Sequence, residues 1–162
     1  MTYRTTPESL VILASHGQIA ARERTSGNVV WRASLAEKAG HRDSPATLIT
    51  RVFLTSGKVF VYGVIEVSAG LFSAMEHVHT AMALDALSGE VMWRTRLCNT
   101  HERIGSMLVD RDIVVLTSGS YTVALDVADG TVRWKQEHTT RAYQMAIAVD
   151  DHAVQADGVG RE

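Results

Sequence analysis

The sequence is short of the residues that staple, break or charge a chain. It holds one cysteine, Cys98, so neither an intramolecular disulfide nor a Cys-x-x-Cys metal site is available. It holds two prolines, Pro7 and Pro45, and no Gly/Ser-rich or low-complexity tract that would mark a linker between unlike domains. The charges nearly balance: 16 Lys and Arg stand against 18 Asp and Glu, a formal net charge of -2. Nothing there would drive non-specific nucleic-acid binding or draw the chain to an anionic membrane surface. No apolar run approaches the roughly 20 residues that span a bilayer. The first nine residues carry no apolar segment of the secretory kind, so the expected compartment is the cytoplasm. With 46% hydrophobic and 21% charged residues, the 162-residue chain has the composition of a folded domain.

What is present is a repeat. Ala21 to Trp31, Ala83 to Trp93 and Ala124 to Trp134 share one frame. Each starts with Ala and has an acid two residues on: Glu23, Asp85, Asp126. Four residues later comes Gly27, Gly89 or Gly130, then Val29, Val91 or Val132, then the Trp. A basic residue follows each: Arg32, Arg94, Lys135. All three tryptophans of the chain sit in this frame.

The spacing locates insertions. Trp93 and Trp134 are 41 residues apart, and Trp31 and Trp93 are 62 apart. Aligning Ile113–Leu116 with Val59–Tyr62 divides the surplus into 13 residues near 67–79 and 8 near 36–46. Adding 41 to Leu108 reaches Val149, so residues 142–157 read as the start of a fourth repeat. Within a repeat, four runs rich in β-branched and aromatic residues are bounded by Gly, Ser and Asp. The spacing predicts first strands at 47–54 and 104–109, second at 59–67 and 113–118, third at 81–85 and 122–126, and fourth at 90–97 and 131–137. Four short strands every 41 residues match a propeller blade, whose period is about 40–45. No run keeps a 3.6-residue period long enough for a helical solenoid.

The shared residues have mechanical roles. The acid can accept hydrogen bonds from turn amides, and Gly supplies a positive φ. Ala21, Ala83 and Ala124 suit positions with little room. Each Trp is expected to bury its ring between neighbouring blades, with the indole N–H bonded to backbone. Glu23, longer than Asp, predicts a looser first turn.

The pattern Ala-Leu-Asp-x-x-x-Gly-x-x-x-Trp resembles the tryptophan-docking repeat of the PQQ-like (quinoprotein) β-propeller family, over about residues 9–157. That family includes quinoprotein alcohol dehydrogenases and the propeller lipoprotein of outer-membrane assembly. The resemblance implies an all-β propeller of four-stranded antiparallel blades and leaves function open, since enzymes and scaffolds share the fold. Family dehydrogenases use a Ca²⁺ site, an acid as base and commonly a vicinal cysteine pair. Cys98 stands alone and no D-x-D-x-D-G loop occurs, so no cofactor is expected.

Other chemistry is thin. Glu76, His77 and His79 form the best metal candidate, with His101 and Glu102 able to join. Two imidazoles fall short of the three or four ligands a zinc site takes, so the segment reads as a polar loop in water. Ser15 with His16, and Ser44 with His41 and Asp43, have nucleophile and base residue types. Adjacent residues in a strand face opposite ways, which sets Ser15 against pairing with His16. Gly158-Val-Gly160 opens no helix and so is no phosphate loop. The insertion 67–79 also carries Leu71, Phe72 and Met75. It is expected either to fold back over the blade or to serve as a contact surface.

These readings converge on a single repeat domain over 1–162. Its blades fall at about 9–35, 47–97 and 104–138, with a partial blade at about 142–157. The expected role is a non-enzymatic scaffold or binding module for an unidentified protein partner, with no metal, cofactor, nucleic acid or membrane. The alternative is an enzyme or ligand-binding subunit whose channel site is completed by oligomerisation. Propellers typically have 4–8 blades, so three and a remainder predict closure to six by a head-to-tail homodimer.

Overall fold

The alternation of apolar and polar residues becomes antiparallel strands joined by tight turns. The computed structural model describes residues 5–38, 47–68, 75–100, 105–118, 121–138, 146–149 and 152–155. A 3-10 turn at Pro7–Ser9 leads into β1 (Leu10–Ser15), β2 (Gln18–Glu23) and β3 (Val29–Ser34), followed by the one-turn helix α1 (Leu35–Lys38). The second sheet is β4 (Thr47–Thr55), β5 (Lys58–Ser68), β6 (Met75–Asp85) and β7 (Val91–Thr100). The third is β8 (Ser106–Asp110), β9 (Ile113–Thr117), β10 (Tyr121–Asp126) and β11 (Val132–Glu137). A hairpin of β12 (Ala146–Val149) and β13 (His152–Gln155) follows. Every sheet is an up-and-down meander in chain order. Among the described residues the first sheet has three strands, β1 to β3, where the second and third have four. The chain divides into two compact units, Met1–Thr100 and His101–Glu162.

The repeat is visible in the backbone hydrogen bonds. In each frame the Gly amide donates to the carbonyl of the acid: Gly27 to Glu23, Gly89 to Asp85, Gly130 to Asp126, at 2.8–2.9 Å. The residue after the acid donates across to the turn preceding the second strand of its repeat: Arg24 to Ser9, Ala86 to Gly57, Val127 to Asp112. A bulge recurs beside each frame alanine, leaving Val30, Met92 and Arg133 as extra residues. In an unbroken strand, residues two apart share a face. The bulge therefore puts the frame valine and the frame tryptophan on opposite faces.

Strand pairing corrects the alignment of the repeats. Ala21, Ala83 and Ala124 lie opposite Ile12, Phe60 and Val115. The counterpart of Val59 is thus Val114, one residue later than the sequence alignment put it, and Val11 in the first sheet. The β5–β6 insertion is therefore 14 residues and not 13. Directly paired antiparallel residues share a face, so these pairs fix which residues correspond between repeats. Pairing continues out to Ser68 opposite Met75. Much of the insertion is strand and not loop.

In Met1–Thr100 the first two sheets share a core. Leu10, Ile19, Ala21, Trp31 and Ala33 from the first pack against Val59, Val61, Ile65, Met82 and Leu84 from the second. All ten are buried, and burial on that scale is worth about 1.5–3 kcal/mol per large aliphatic side chain. In the second unit, Met107, Leu108, Val114, Leu116, Val123 and Leu125 are buried, and the β12–β13 hairpin lies against β8. β11 is exposed along its whole length.

Candidate functional site: the tryptophan seat and the uncovered faces

Trp31 stands on the last strand of the first sheet, opposite Ala21, whose small side chain leaves room for the ring. Its indole lies flat on the turn that joins β6 to β7. A Cβ built on Gly89 would come within 2.7 Å of Trp31 Cδ2, so no other residue fits there. Gly89 also has φ +70°, a second reason for glycine. The indole Nε1–H donates to the Ala86 carbonyl at 2.8 Å, in a buried setting where an unpaired N–H would be costly.

Asp85 holds this turn rigid. Its Oδ1 accepts the amides of Leu87 (3.0 Å) and Ser88 (2.8 Å) and the Ser88 hydroxyl (3.0 Å). The Ser88 amide and hydroxyl draw its carboxyl below the ordinary aspartate value. The Glu23 turn has the same backbone bonds. Its carboxylate takes the Ser26 hydroxyl, and that hydroxyl in turn accepts the Asn28 amide. The longer side chain thus leaves the turn shape intact and changes only what grips it.

The three frame tryptophans differ sharply in burial. Trp31 is 9% exposed and Trp93 is 7% exposed, the latter with its ring 6.1 Å from Phe60. Trp134 is 47% exposed. The frame glycines Gly89 and Gly27 differ too: a Cβ on Gly27 (φ +73°) would meet no atom within 4 Å. The first sheet has a matching open face. Val11 and Leu13 are 38% and 50% exposed, whereas their second-sheet counterparts, Val59 and Val61, are fully buried. The sequence did not single out Val11 and Leu13, because their alternation looks like that of any core strand; their second-sheet counterparts are covered by a neighbouring sheet.

The insertion overturns the expectation of a polar loop in water. His77 and His79 lie on β6 and are buried. They share a face, as their spacing predicted, but each turns to a different partner on β5. His77 Nε2 meets Glu66 Oε1 at 3.3 Å, and His79 Nδ1 meets the Tyr62 hydroxyl at 2.7 Å. Glu66 and Tyr62 lie on the strand that pairs with β6, where only the register, not the sequence spacing, brings them across. The arrangement joins two long strands. Among the described residues no three His, Cys, Asp or Glu side chains come together to hold a metal. His101, Glu102, Leu71 and Phe72 lie outside the described residues, as do His41, Asp43, Ser44, Gly158 and Gly160. Met75 and Cys98 are placed in strands by their backbone alone.

Ser15 and His16 do pair: Ser15 Oγ lies 2.7 Å from His16 Nδ1. His16 is not in the strand but in the tight turn beyond it, at φ +48°, so the alternation rule does not apply. The pair is exposed and local. On β11, Arg133 bridges Asp112 and Asp126 at 2.7 Å each. Its bond to Asp112 holds that carboxyl below its ordinary range. The bulge residue thereby ties two turns together.

The family model described as outer membrane protein assembly factor BamB, a PQQ-like repeat model, matches residues 15–159. The chain belongs to the BamB-like PQQ-repeat family. Among solved structures, BamB from Moraxella catarrhalis is similar, with a TM-score of 0.54 and 17% identity over 91% of this chain and 40% of that one. So is the quinohemoprotein alcohol dehydrogenase ADHIIG from Pseudomonas putida HK5, with a TM-score of 0.57 and 15% identity over 91% of this chain and 29% of that one. This BamB-like chain thus spans less than half the length of either. At such identities the likeness is one of fold, and the fold is the all-β propeller type with antiparallel blades. No curated protein matches the chain.

Proposed function

We propose that this chain is a non-enzymatic interaction module that works through its uncovered blade faces. The observation that carries the reading is the exposure of Val11 and Leu13, at positions that the second sheet buries completely. An apolar sheet face left in water is a binding face or an aggregation hazard. The likeness to a protein named as an assembly factor supports a protein partner. A second copy of the chain is the favoured one, since it offers a blade of the same make. A homodimer would be joined head to tail, with six blades in all.

The test is cross-linking in the native cell, followed by identification of what is joined. The wild-type chain is expected to capture a defined set of polypeptides, its own copies among them. Leu13→Glu puts a charge on the open face, leaves the described core untouched and should empty that set while the circular dichroism is unchanged. Equal capture by both chains would refute the reading.

A further inference from the structure

Among the described residues, Trp31 sits on a glycine turn, while Trp134 and the Gly27 turn each present one half of the same contact to solvent. Trp31 shows what the seated form requires: a glycine at positive φ to receive the ring, and the carbonyl three residues before it to accept the indole N–H. Gly27 has the matching φ of +73°, and the Arg24 carbonyl stands in the place of Ala86. The turn has the same backbone bonds as its occupied counterpart, and the space over Gly27 is open. Arg22 Nη1 donates to the Gly27 carbonyl at 2.7 Å, holding the turn in shape. Among the described residues Trp134 is a ring without a seat. It pairs with Ala124 in the register Trp31 keeps with Ala21, next to the same bulge, yet it is 47% exposed.

We propose that Trp134 of one copy seats on the Gly27 turn of a second copy, with its indole N–H directed to the Arg24 carbonyl. The same approach would lay the third sheet of one copy over the open Val11–Leu13 face of the other. That face corresponds to Val59 and Val61, which lie under the sheet that carries Trp31. Ring and seat are different surfaces, so the junction is heterologous: it closes when two copies exchange it, and otherwise it propagates. This inference rests on the reading that the open faces bind protein, and it adds which residues meet.

The experiment uses the full chain, two single variants and their mixture, with mass read by sedimentation. Trp134→Ala removes the ring and keeps the seat. Gly27→Asn fills the seat with a side chain and keeps the ring, since Asn tolerates positive φ. Wild type is expected to be heavier than one chain. Each variant should weaken association about thirtyfold, as loss of a buried aromatic anchor does. An equimolar mixture should restore a one-to-one complex, because one good ring then meets one good seat. Restoration in the mixture is something that mere misfolding would not produce. Monomeric wild type, or variants that stay monomeric when mixed, would overturn the proposal. Variants that associate like wild type would overturn the Trp134–Gly27 pairing. Leu13→Glu, which stays out of this experiment, would still decide whether the open face binds protein at all.

Discussion

Trp31 and Trp134 stand in the same frame, opposite the same alanine and beside the same bulge, yet one is 9% exposed and the other 47%. The difference is not in the strand that carries the ring. It lies in whether a second turn meets it. Trp31 has Gly89 and the Ala86 carbonyl; among the described residues Trp134 has no such seat. A repeat motif thus specifies a contact in two halves on different repeats, and a ring that no second turn meets among the described residues stands in water.

The largest effect should come from the rings themselves. Trp31→Ala empties a buried site and loses a hydrogen bond, so unfolding of the first unit should become easier by about 3–5 kcal/mol. Trp134→Ala, measured at dilutions where copies are apart, should stay within about 1 kcal/mol. Equal losses in chemical denaturation would erase the contrast.

Next come the seats. Gly89→Ala meets both a positive φ and a ring at 2.7 Å, which together should cost about 3 kcal/mol. Gly27→Ala meets only the φ, worth about 1–2 kcal/mol. The gap between the two melting shifts measures the seated ring. If that gap vanished, the close approach at Gly89 would carry no weight.

A smaller loss is expected inside the second sheet. Tyr62→Phe deprives buried His79 of its hydroxyl partner and should cost about 1–2 kcal/mol. The exposed Ser15–His16 pair offers the contrast, and Ser15→Ala should leave the denaturation midpoint almost unmoved.

The smallest effect depends on pH. The Asp85 carboxyl lies below its ordinary value of 3.8 because the folded turn donates hydrogen bonds to its charged form. Its contribution is therefore complete above about pH 4 and is lost as the pH falls through the folded value. The stability of Asp85→Asn should fall less steeply over that acid range than that of wild type. Parallel acid limbs would show that the turn does not depend on the charge.

Much of this was legible in the residues. The frame from Ala to Trp placed the strands of the second and third repeats to within about three residues, except the start of β6, which lies six residues earlier than expected, because those signals are local. Glycine at positive φ, an acid facing turn amides and two-residue alternation act over a handful of positions. The candidate site was less legible. His77 and His79 were recognised as sharing a face, but not as buried, because burial came from β5 strand residues 11 and 17 positions away. The tight turn at His16 was missed because alternation was carried one residue too far.

By itself, then, the sequence determined the repeat, its strand count and the chemistry of its turns, all of which follow from short-range sterics and hydrogen bonding. Only the tertiary structure decided the one-residue shift in repeat alignment, the length of the hairpin insertion and how deeply each tryptophan is buried. These depend on cross-strand register and on what lies across a blade face. An antiparallel pair must keep both strands' side chains on matching faces, and a ring is buried only where another repeat brings a glycine to it.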